Sequence, residues 1–346
     1  MNRIGLRIEA DATFALRNST TGSNRASLGF DQILSTVKFA DQLGYHSTWL
    51  PEGFGRDAIV YLSALGLSTE SIKLATGILS TYARTPTMTA MSAATIDQLS
   101  GGRFILGLGV GHEPMTQDGH GVPFHRPVTR GRETIEIIRQ LLSGSSVTFN
   151  GKVFRTNKAT LNVQPIQDQL PVYLAALKPK MVQLAGEVAD GVLLNFSPKT
   201  YVEQAVGLVR DAEARSARTP GSCDVACYVR VAVTHDYEAS KPTLQQILAG
   251  RLRLPFYARY FEKLGFEEET GRITTALERG DEQSAMDAVT DRLIHAMVIV
   301  GTAAECRTQL NEWRAVGLSL PIIAPIRTGA ALESIEDTLE ALAPDA

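Results

Sequence analysis

Short runs of Val, Ile and Leu, apolar at nearly every position, alternate along the chain with amphipathic stretches of helical period. Runs apolar on both faces mark strands buried in a parallel sheet, and the amphipathic stretches between them supply the crossover helices that such a sheet requires. Residues 3–8 form the first strand. After a polar loop (residues 11–26), Phe30, Ile33, Leu34 and Val37 share one helical face, and that helix stops at Gly44. Further strands fall at 47–50, 73–78, 104–109, 171–175, 191–195, 224–234 and 320–325. Eight strands with helices between them predict an α/β fold of the (β/α)8 TIM-barrel type rather than an open sheet. No stretch has a linker's composition, so residues 1–346 are expected to form one domain.

Three helix starts are marked by proline: Thr85-Pro86, Lys178-Pro179 and Ser197-Pro198. Proline lacks the N–H that would be orphaned at the first helical position, and a Ser or Thr before it can accept from a free amide. Beyond Pro179, the positions Met181, Leu184, Ala185 and Val188 form a stripe at helical spacing. Thr302-Ala-Ala-Glu305 is a capping-box pattern opening the last barrel helix. Two insertions interrupt the scheme. Residues 147–161 carry an Asn150-Gly151 turn between β-type runs and predict a hairpin. Residues 240–290, charged and mostly helical in pattern, lie between the seventh and eighth strands, where an insertion covers a barrel's mouth.

With 346 residues, 44% of them hydrophobic, the chain has ample material for a buried core. Its 34 basic and 37 acidic residues leave a net charge of −3 with no long run of either sign, which excludes a field suited to nucleic acid or an anionic membrane. The opening MNRIGLRIEA has no signal-type apolar region and no segment is long enough to span a bilayer, so a cytoplasmic location is expected. Cys223, Cys227 and Cys306 are too few and scattered for a disulfide framework or zinc site, consistent with a reducing compartment; the first two suit buried packing.

In a barrel of this type the chemistry gathers at the carboxyl ends of the strands. That rule selects Glu9, Glu52, Gly77 and Ile78, Gly109 to Glu113, Leu177 to Lys180, and Asn195, and assigns Asp97 and Arg103 a structural role at the opposite end. The stretch from 72 to 112 runs strand, turn, proline-started helix, then a strand ending in glycines. Bare backbone at such strand ends leaves room for a flat ring. Other chemistries find less support. Gly107 to Gly111 has a GxGxG spacing but is followed by Pro114 and a loop, not by the helix of a dinucleotide fingerprint. His112, His120 and His125 match no metal-ligand spacing, so no metal is expected, and no GxSxG elbow offers a hydrolase nucleophile.

The segments WLPEGFGRD, LATGILSTYARTP, ATIDQLSGGRFILGLGVGH and PVYLAALKPKMVQLAGEVADGVLLN resemble the bacterial-luciferase-like flavin superfamily. Within it they are most similar to the branch that uses the deazaflavin coenzyme F420, especially the methylene-tetrahydromethanopterin reductases. The resemblance is dense over residues 49–195, thinner in the first strand and over 301–325, and absent through the long insertion. It implies a flavin or deazaflavin across the barrel mouth, hydride chemistry at the exposed ring face, a small-molecule substrate, and often a homodimer.

Carried over by position, the resemblance makes Gly77-Ile78, next to Thr76, a non-prolyl cis peptide forming a bulge behind the ring, with Gly109, Val110 and Gly111 beside it. Ala176, Leu177, Lys178, Pro179 and Lys180 correspond to the phosphate loop, the lysines adding charge for a phosphate or the acidic tail of F420. Asn195 completes the cofactor-binding set. His112 stands where relatives carry a carboxylate that supplies a proton or orients substrate, with Glu113 as its orienting neighbour, and Glu52 aligns with an acid near the deazaflavin head. Each has a plainer alternative: an ordinary strand end at Gly77, solvated lysines, a solvated loop histidine, a Glu52–Arg56 ion pair. Two departures stand out. Leu177-Lys178 replaces a Gly-Gly or Gln-Gly of relatives, and Arg7 replaces an acid in the first strand, with Glu9 on the same face two residues on. Either Glu9 substitutes for that acid or the substrate differs from that of the reductases, and the long polar loop at 11–26, unlike that of relatives, favours a different substrate. The reading is an F420-dependent oxidoreductase moving a hydride between deazaflavin C5 and an activated C=C or C=N group. The alternatives are an FMN-dependent monooxygenase and a cofactor-free partner barrel.

Overall fold

The computed structural model describes residues 3–8, 28–328 and 335–344. Glu9 and the polar loop at 11–26 lie outside the described residues. In chain order the strands are β1 (Gly5–Arg7), β2 (Ser47–Leu50), β3 (Lys73–Thr76), β4 (Leu79–Ser80), β5 (Phe104–Gly109) and the hairpin β6 (Val147–Asn150) and β7 (Arg155–Ala159). There follow β8 (Val172–Ala175), β9 (Gly191–Asn195), β10 (Asp224–Val233), β11 (Val298–Gly301) and β12 (Leu320–Pro325). Eight of them pair in parallel in the order β12, β1, β2, β3, β5, β8, β9, β10, and β10 returns to β12. The sheet is therefore a closed barrel, as the eight apolar runs predict.

Helices α1 (Phe30–Gln42), α2 (Ala58–Gly66), α3 (Pro86–Leu99), α4 (Pro127–Leu142), α5 (Pro179–Val188) and α6 (Lys199–Arg215) make the crossovers. The predicted apolar stripes face inward: Ile33 and Val37 on α1 and Met181, Leu184 and Ala185 on α5 are all buried. The Thr85 hydroxyl accepts from the Met88 amide, and Pro179 opens α5, whereas Pro198 is itself the cap residue, one position before its helix. The expected hairpin forms as β6 against β7. The insertion is wider than its charge pattern suggests. It comprises α7 (Tyr237–Leu252), α8 (Pro255–Lys263), α9 (Glu267–Glu278), α10 (Glu282–Asp287) and α11 (Asp291–Met297), and leads directly into β11. That strand, which extends the sheet along the far end of β10, was not expected from the sequence. Its apolar run continues the buried Leu293, Ile294 and Met297 of α11 without a break, so no change of period marks the switch. The Thr302–Glu305 capping box opens α12 (Ala303–Ala315), and α13 (Ile335–Ala341) packs against α1.

Two cores result. One lies between barrel and helices; the other fills the barrel with Trp49, Ala75, Ile105, Tyr173, Leu193, Ala226, Tyr228, Leu320 and Ile322. The amino end of the barrel is closed by polar contacts. Arg3 donates to Asp224 at 2.6 and 3.0 Å, and Asp224 also accepts from the Tyr173 hydroxyl at 2.6 Å. Asp97, fully buried, accepts from the amides of Phe104, Ile166 and Gln167, while Arg103 donates to the carbonyls of Gly66, Thr69, Ile72 and Ser100. Both residues hold loops and take no part in the mouth. The three cysteines are buried and none is in a disulfide among the described residues. No helix among the described residues is long and apolar enough to cross a membrane.

His46, just before β2, belongs to this closed end. Its Nδ1 lies 3.1 Å from the Ser47 hydroxyl, which accepts from the Trp49 indole N–H at 2.8 Å. The serine is thus left to donate to a neutral imidazole. Burial, reinforced by Lys73 and Arg3, pushes the His46 pKa down to about 4 from 6.5. The folded state therefore binds the proton less readily than the unfolded chain, so this contribution is intact above the unfolded value and is lost as pH falls towards the folded one. Between about pH 7 and about pH 4, the unfolding free energy of the wild type should drop by about 3 kcal/mol more than that of His46→Asn. Parallel urea titrations of the two proteins across that range check this; coincident slopes would refute it.

Candidate active site

The mouth is shaped where β3 gives way to β4. Ala75 pairs with Ile105 and Leu79 with Leu108, so three residues, 76–78, face two, 106–107, on β5. One extra residue in a strand is a bulge, which bends the chain and re-aims the side chains around it. The Thr76 hydroxyl is bound on both sides, donating to the Gly107 carbonyl and accepting from the Gly107 amide at 2.8 Å each. Thr76 is a fixed support, fully buried. Beyond it the Gly77-Ile78 peptide is cis. The Gly77 amide donates to Leu50 O at 2.8 Å and its carbonyl accepts from the Tyr228 hydroxyl at 2.9 Å. A Cβ at Gly77 would lie 1.8 Å from that hydroxyl, and one at Gly107 1.9 Å from Thr76 O. These glycines exist because other atoms occupy the side-chain space. At Gly109 a Cβ would meet Ile78 at 2.8 Å, so Ile78 packs directly on bare backbone.

Acidic and basic groups flank this platform on opposite sides. After β2, Glu52 is paired with Arg84 at 3.3 Å, and Arg84 also binds Asp57 at 2.8 Å. The Glu52–Arg56 pairing is replaced, Arg56 lying over the Tyr61 ring at 5.4 Å. Burial raises the Glu52 pKa, and Arg84 opposes that shift. Across the mouth, Asn195 at the end of β9 donates through Nδ2 to the Tyr257 hydroxyl at 2.7 Å and accepts from Arg230 Nη2 at 3.0 Å. His112, after β5, stacks on Phe256 of α8 with centroids 4.9 Å apart and an interplanar angle of 20°. Its Nδ1 is shielded from solvent and has no hydrogen-bond partner among the described residues. A buried imidazole nitrogen left in that state suits a ligand's polar atom. Burial, then the Arg251 charge, lowers the His112 pKa.

The other expected residues are placed as follows. Gly109 is buried, Val110 half-buried, and Gly111 exposed with φ +61°. Glu113 is exposed and accepts from Gln117 at 3.3 Å. Ala176 is buried; the Leu177 carbonyl accepts from the Tyr201 hydroxyl at 2.8 Å; Lys178, Pro179 and Lys180 are exposed at the start of α5. The sequence reading missed Tyr228, Arg230, Arg251, Phe256 and Tyr257. Arg230 carried a signal, a charge inside the apolar run CYVRVAV at the inward period of Ala226 and Tyr228. The three insertion residues carried none, since only the fold brings α7 and α8 to the mouth. Among the described residues no cluster of His, Cys, Asp and Glu could hold a metal.

The luciferase-like monooxygenase family model matches residues 12–320. The chain belongs to that family. It is 33% identical over 291 residues to the 5,10-methylenetetrahydromethanopterin reductase of Methanolobus tindarius, covering 83% of this chain and 88% of the relative. With the enzyme of the same name from Archaeoglobus fulgidus it shares 31% over 289 residues, 82% and 86% of the two chains. Among solved structures, the coenzyme F420-dependent tetrahydromethanopterin reductase of Methanopyrus kandleri superposes with a TM-score of 0.81 at 27% identity. That alignment covers 91% of this chain and 95% of the reductase. The (β/α)8 expectation and the resemblance to this family both hold.

The arrangement around His112 gives a direct electrostatic expectation. Removing the neighbouring charge in Arg251→Gln should raise the His112 pKa towards the ordinary histidine value of about 6.5. Histidine Cε1 chemical shifts followed against pH, with His112→Gln for assignment, measure it. An unchanged titration would show that the Arg251 field does not reach the imidazole.

Proposed function

We propose that the protein is a coenzyme F420-dependent oxidoreductase that transfers a hydride between C5 of the deazaflavin and a small organic substrate bearing a polarised C=C or C=N group. The observation that carries this reading is the orphaned His112 Nδ1 beside a glycine-lined bulge, in a chain whose relatives include a reductase named for F420. When bound, the coenzyme supplies a hydride acceptor or donor in a flat ring. Gly77, Ile78, Gly109, Val110 and Gly111 would hold that ring's closed face. Thr76 would keep the supporting strands in register. Leu177, Lys178 and Lys180 would face its phosphate and acidic tail, and Asn195 its polar edge.

His112 and the insertion residues Phe256 and Tyr257 would line the substrate side of the site. Hydride addition to a polarised double bond leaves a developing anion that must be protonated, and the reverse reaction needs a base at the same place. His112 performs both tasks at Nδ1, its ring held by Phe256. Its lowered pKa favours the neutral form, which acts as base in the oxidative direction. Glu52, held by Arg84, would hydrogen-bond the head of the coenzyme, and Glu113, exposed after β5, would orient substrate.

His112→Ala should keep F420 affinity, read by quenching of deazaflavin fluorescence, and lower turnover by about 100-fold. Turnover at the wild-type rate would remove His112 from the chemistry. Saturable FMN binding with oxygen uptake, and none with F420, would replace the reductase by a monooxygenase.

The same proposal includes a homodimer through α2 and α3. Val60 on α2 and Leu67 at its C-terminal cap are 63% and 70% exposed, and Met88 and Met91 are exposed on the adjoining α3. Apolar side chains on two packed helices form the type of patch that a second copy covers. Light scattering should show a dimer that Leu67→Glu with Met88→Glu converts to monomer; an unchanged mass would place the interface elsewhere.

A further inference from the structure

We infer that Tyr257 donates a hydrogen bond to a carbonyl oxygen of the substrate, and that the substrate is a C=C bond conjugated to that carbonyl rather than an imine. This deepens the proposed function and rests on its assignment of the barrel mouth as the reaction site. One chain of donors and acceptors leads there. Arg230, inside β10 and 3% exposed, donates through Nη2 to Asn195 Oδ1 at 3.0 Å. A guanidinium has no acceptor atom, so this contact fixes the amide, with its oxygen towards Arg230 and Nδ2 towards the Tyr257 hydroxyl 2.7 Å away. The amide nitrogen can only donate. The Tyr257 oxygen therefore accepts from Asn195, and its own proton is left without use.

Tyr257 has no other hydrogen bond among the described residues. It is 5% exposed, which withholds bulk water as an alternative acceptor. Its ring is walled by Phe196, Phe256 and Phe261, with centroids 5.4, 4.3 and 6.4 Å away, and none of these side chains carries an acceptor atom. A buried O–H without an acceptor is costly, and a lone pair on a ligand removes that cost. The donor is also strengthened where it stands. The bonds from Arg230 to Asn195 and from Asn195 to Tyr257 run in one direction, away from a permanent cation, and such a series polarises its last O–H.

Asn195 ends β9 at the carboxyl end of the barrel, so the phenol bound to its amide lies at the mouth. Phe256 touches both this phenol and His112, whose Nδ1 is the second buried group there without a partner among the described residues. Two such groups around one aromatic ring choose between the substrate classes. Reduction of an imine puts a hydride on carbon and a proton on the adjacent nitrogen, which a single donor serves. Reduction of a C=C bond conjugated to a carbonyl puts the hydride on the β-carbon, moves the π electrons onto the carbonyl oxygen, and ends with a proton on the α-carbon. The hydride comes from the reduced deazaflavin of the proposed function. Such a reaction needs a fixed donor at the oxygen and a separate proton carrier at the α-carbon. Tyr257 is the first and keeps its proton; His112 is the second.

Dimethylaminobenzylideneacetone is the probe, a conjugated ketone whose absorption moves to longer wavelength when its oxygen accepts a hydrogen bond. It is titrated into the full chain without coenzyme, and F420 affinity is measured separately by fluorescence quenching. Wild type should bind the ketone saturably with a red-shifted band. Tyr257→Phe, which keeps the ring and loses the hydroxyl, should abolish the shift and weaken ketone binding by about tenfold. F420 affinity in that variant should stay within about twofold of wild type. Tyr260→Phe is the control, because it removes a hydrogen bond by which the same helix docks on Ser197, and its ketone band should match that of wild type. Equal loss in the two phenylalanine variants assigns the effect to helix docking and overturns the inference. A red-shifted band that survives in Tyr257→Phe, or a wild type that does not bind the ketone, overturns it as well. Equal loss of ketone and F420 affinity in Tyr257→Phe gives the donor to the coenzyme, with the same result. Because the ketone arm needs no coenzyme, absence of F420 binding sinks the cofactor assignment alone and leaves the Tyr257 contact standing.

Discussion

A single contact across the barrel interior, the Tyr228 hydroxyl on the Gly77 carbonyl at 2.9 Å, fixes the form of the mouth. A hydroxyl that close leaves no room for a Cβ at 77, and the carbonyl of Thr76 leaves none at 107. Absence of side chains at these two positions lets β3 bulge against β5 without losing the Thr76 hydroxyl bridge. Ile78 then lies on the bare face of Gly109. Any larger residue at 77 or 107 must displace either Tyr228 or the strand, and Tyr228 is itself packed beneath Arg7. The platform and the basic side of the mouth therefore share one supporting ring.

Charged groups stand on two sides of that platform. On the β2 side, Glu52 and Asp57 converge on the one guanidinium of Arg84. On the β9 and β10 side, Arg230 and Arg251 share aromatic walls. His112 lies towards the second group, and burial together with the Arg251 charge disfavours its protonated form.

The barrel was legible because parallel strands buried on both faces must be continuously apolar, and all eight runs fall where the strands do. The structural roles of Asp97 and Arg103 followed from position alone, before β5 and away from the carboxyl ends. Local chemistry was also visible where it depends on neighbours in sequence, as in the Thr302–Glu305 box and the Thr85 cap. What escaped was non-local. The strand at Val298–Gly301 merges with a helix of the same polarity, and Glu52 takes Arg84, 32 residues away, rather than the nearby Arg56.

The least legible part was the insertion, although the family model spans it. Its sequence is charged and amphipathic, and nothing in that pattern says which residues face the barrel. The fold answers through three aromatic anchors: Tyr257 on Asn195, Phe256 on His112, and Tyr260, whose hydroxyl lies 2.8 Å from that of Ser197. All three come from one short helix, α8, and all three meet residues at strand ends. Aromatic side chains provide large contact area for few rotatable bonds, and a phenol adds one directed hydrogen bond. They therefore dock the insertion onto the barrel at small entropic cost. The barrel supplies the platform, and the docked helices supply a wall over its mouth.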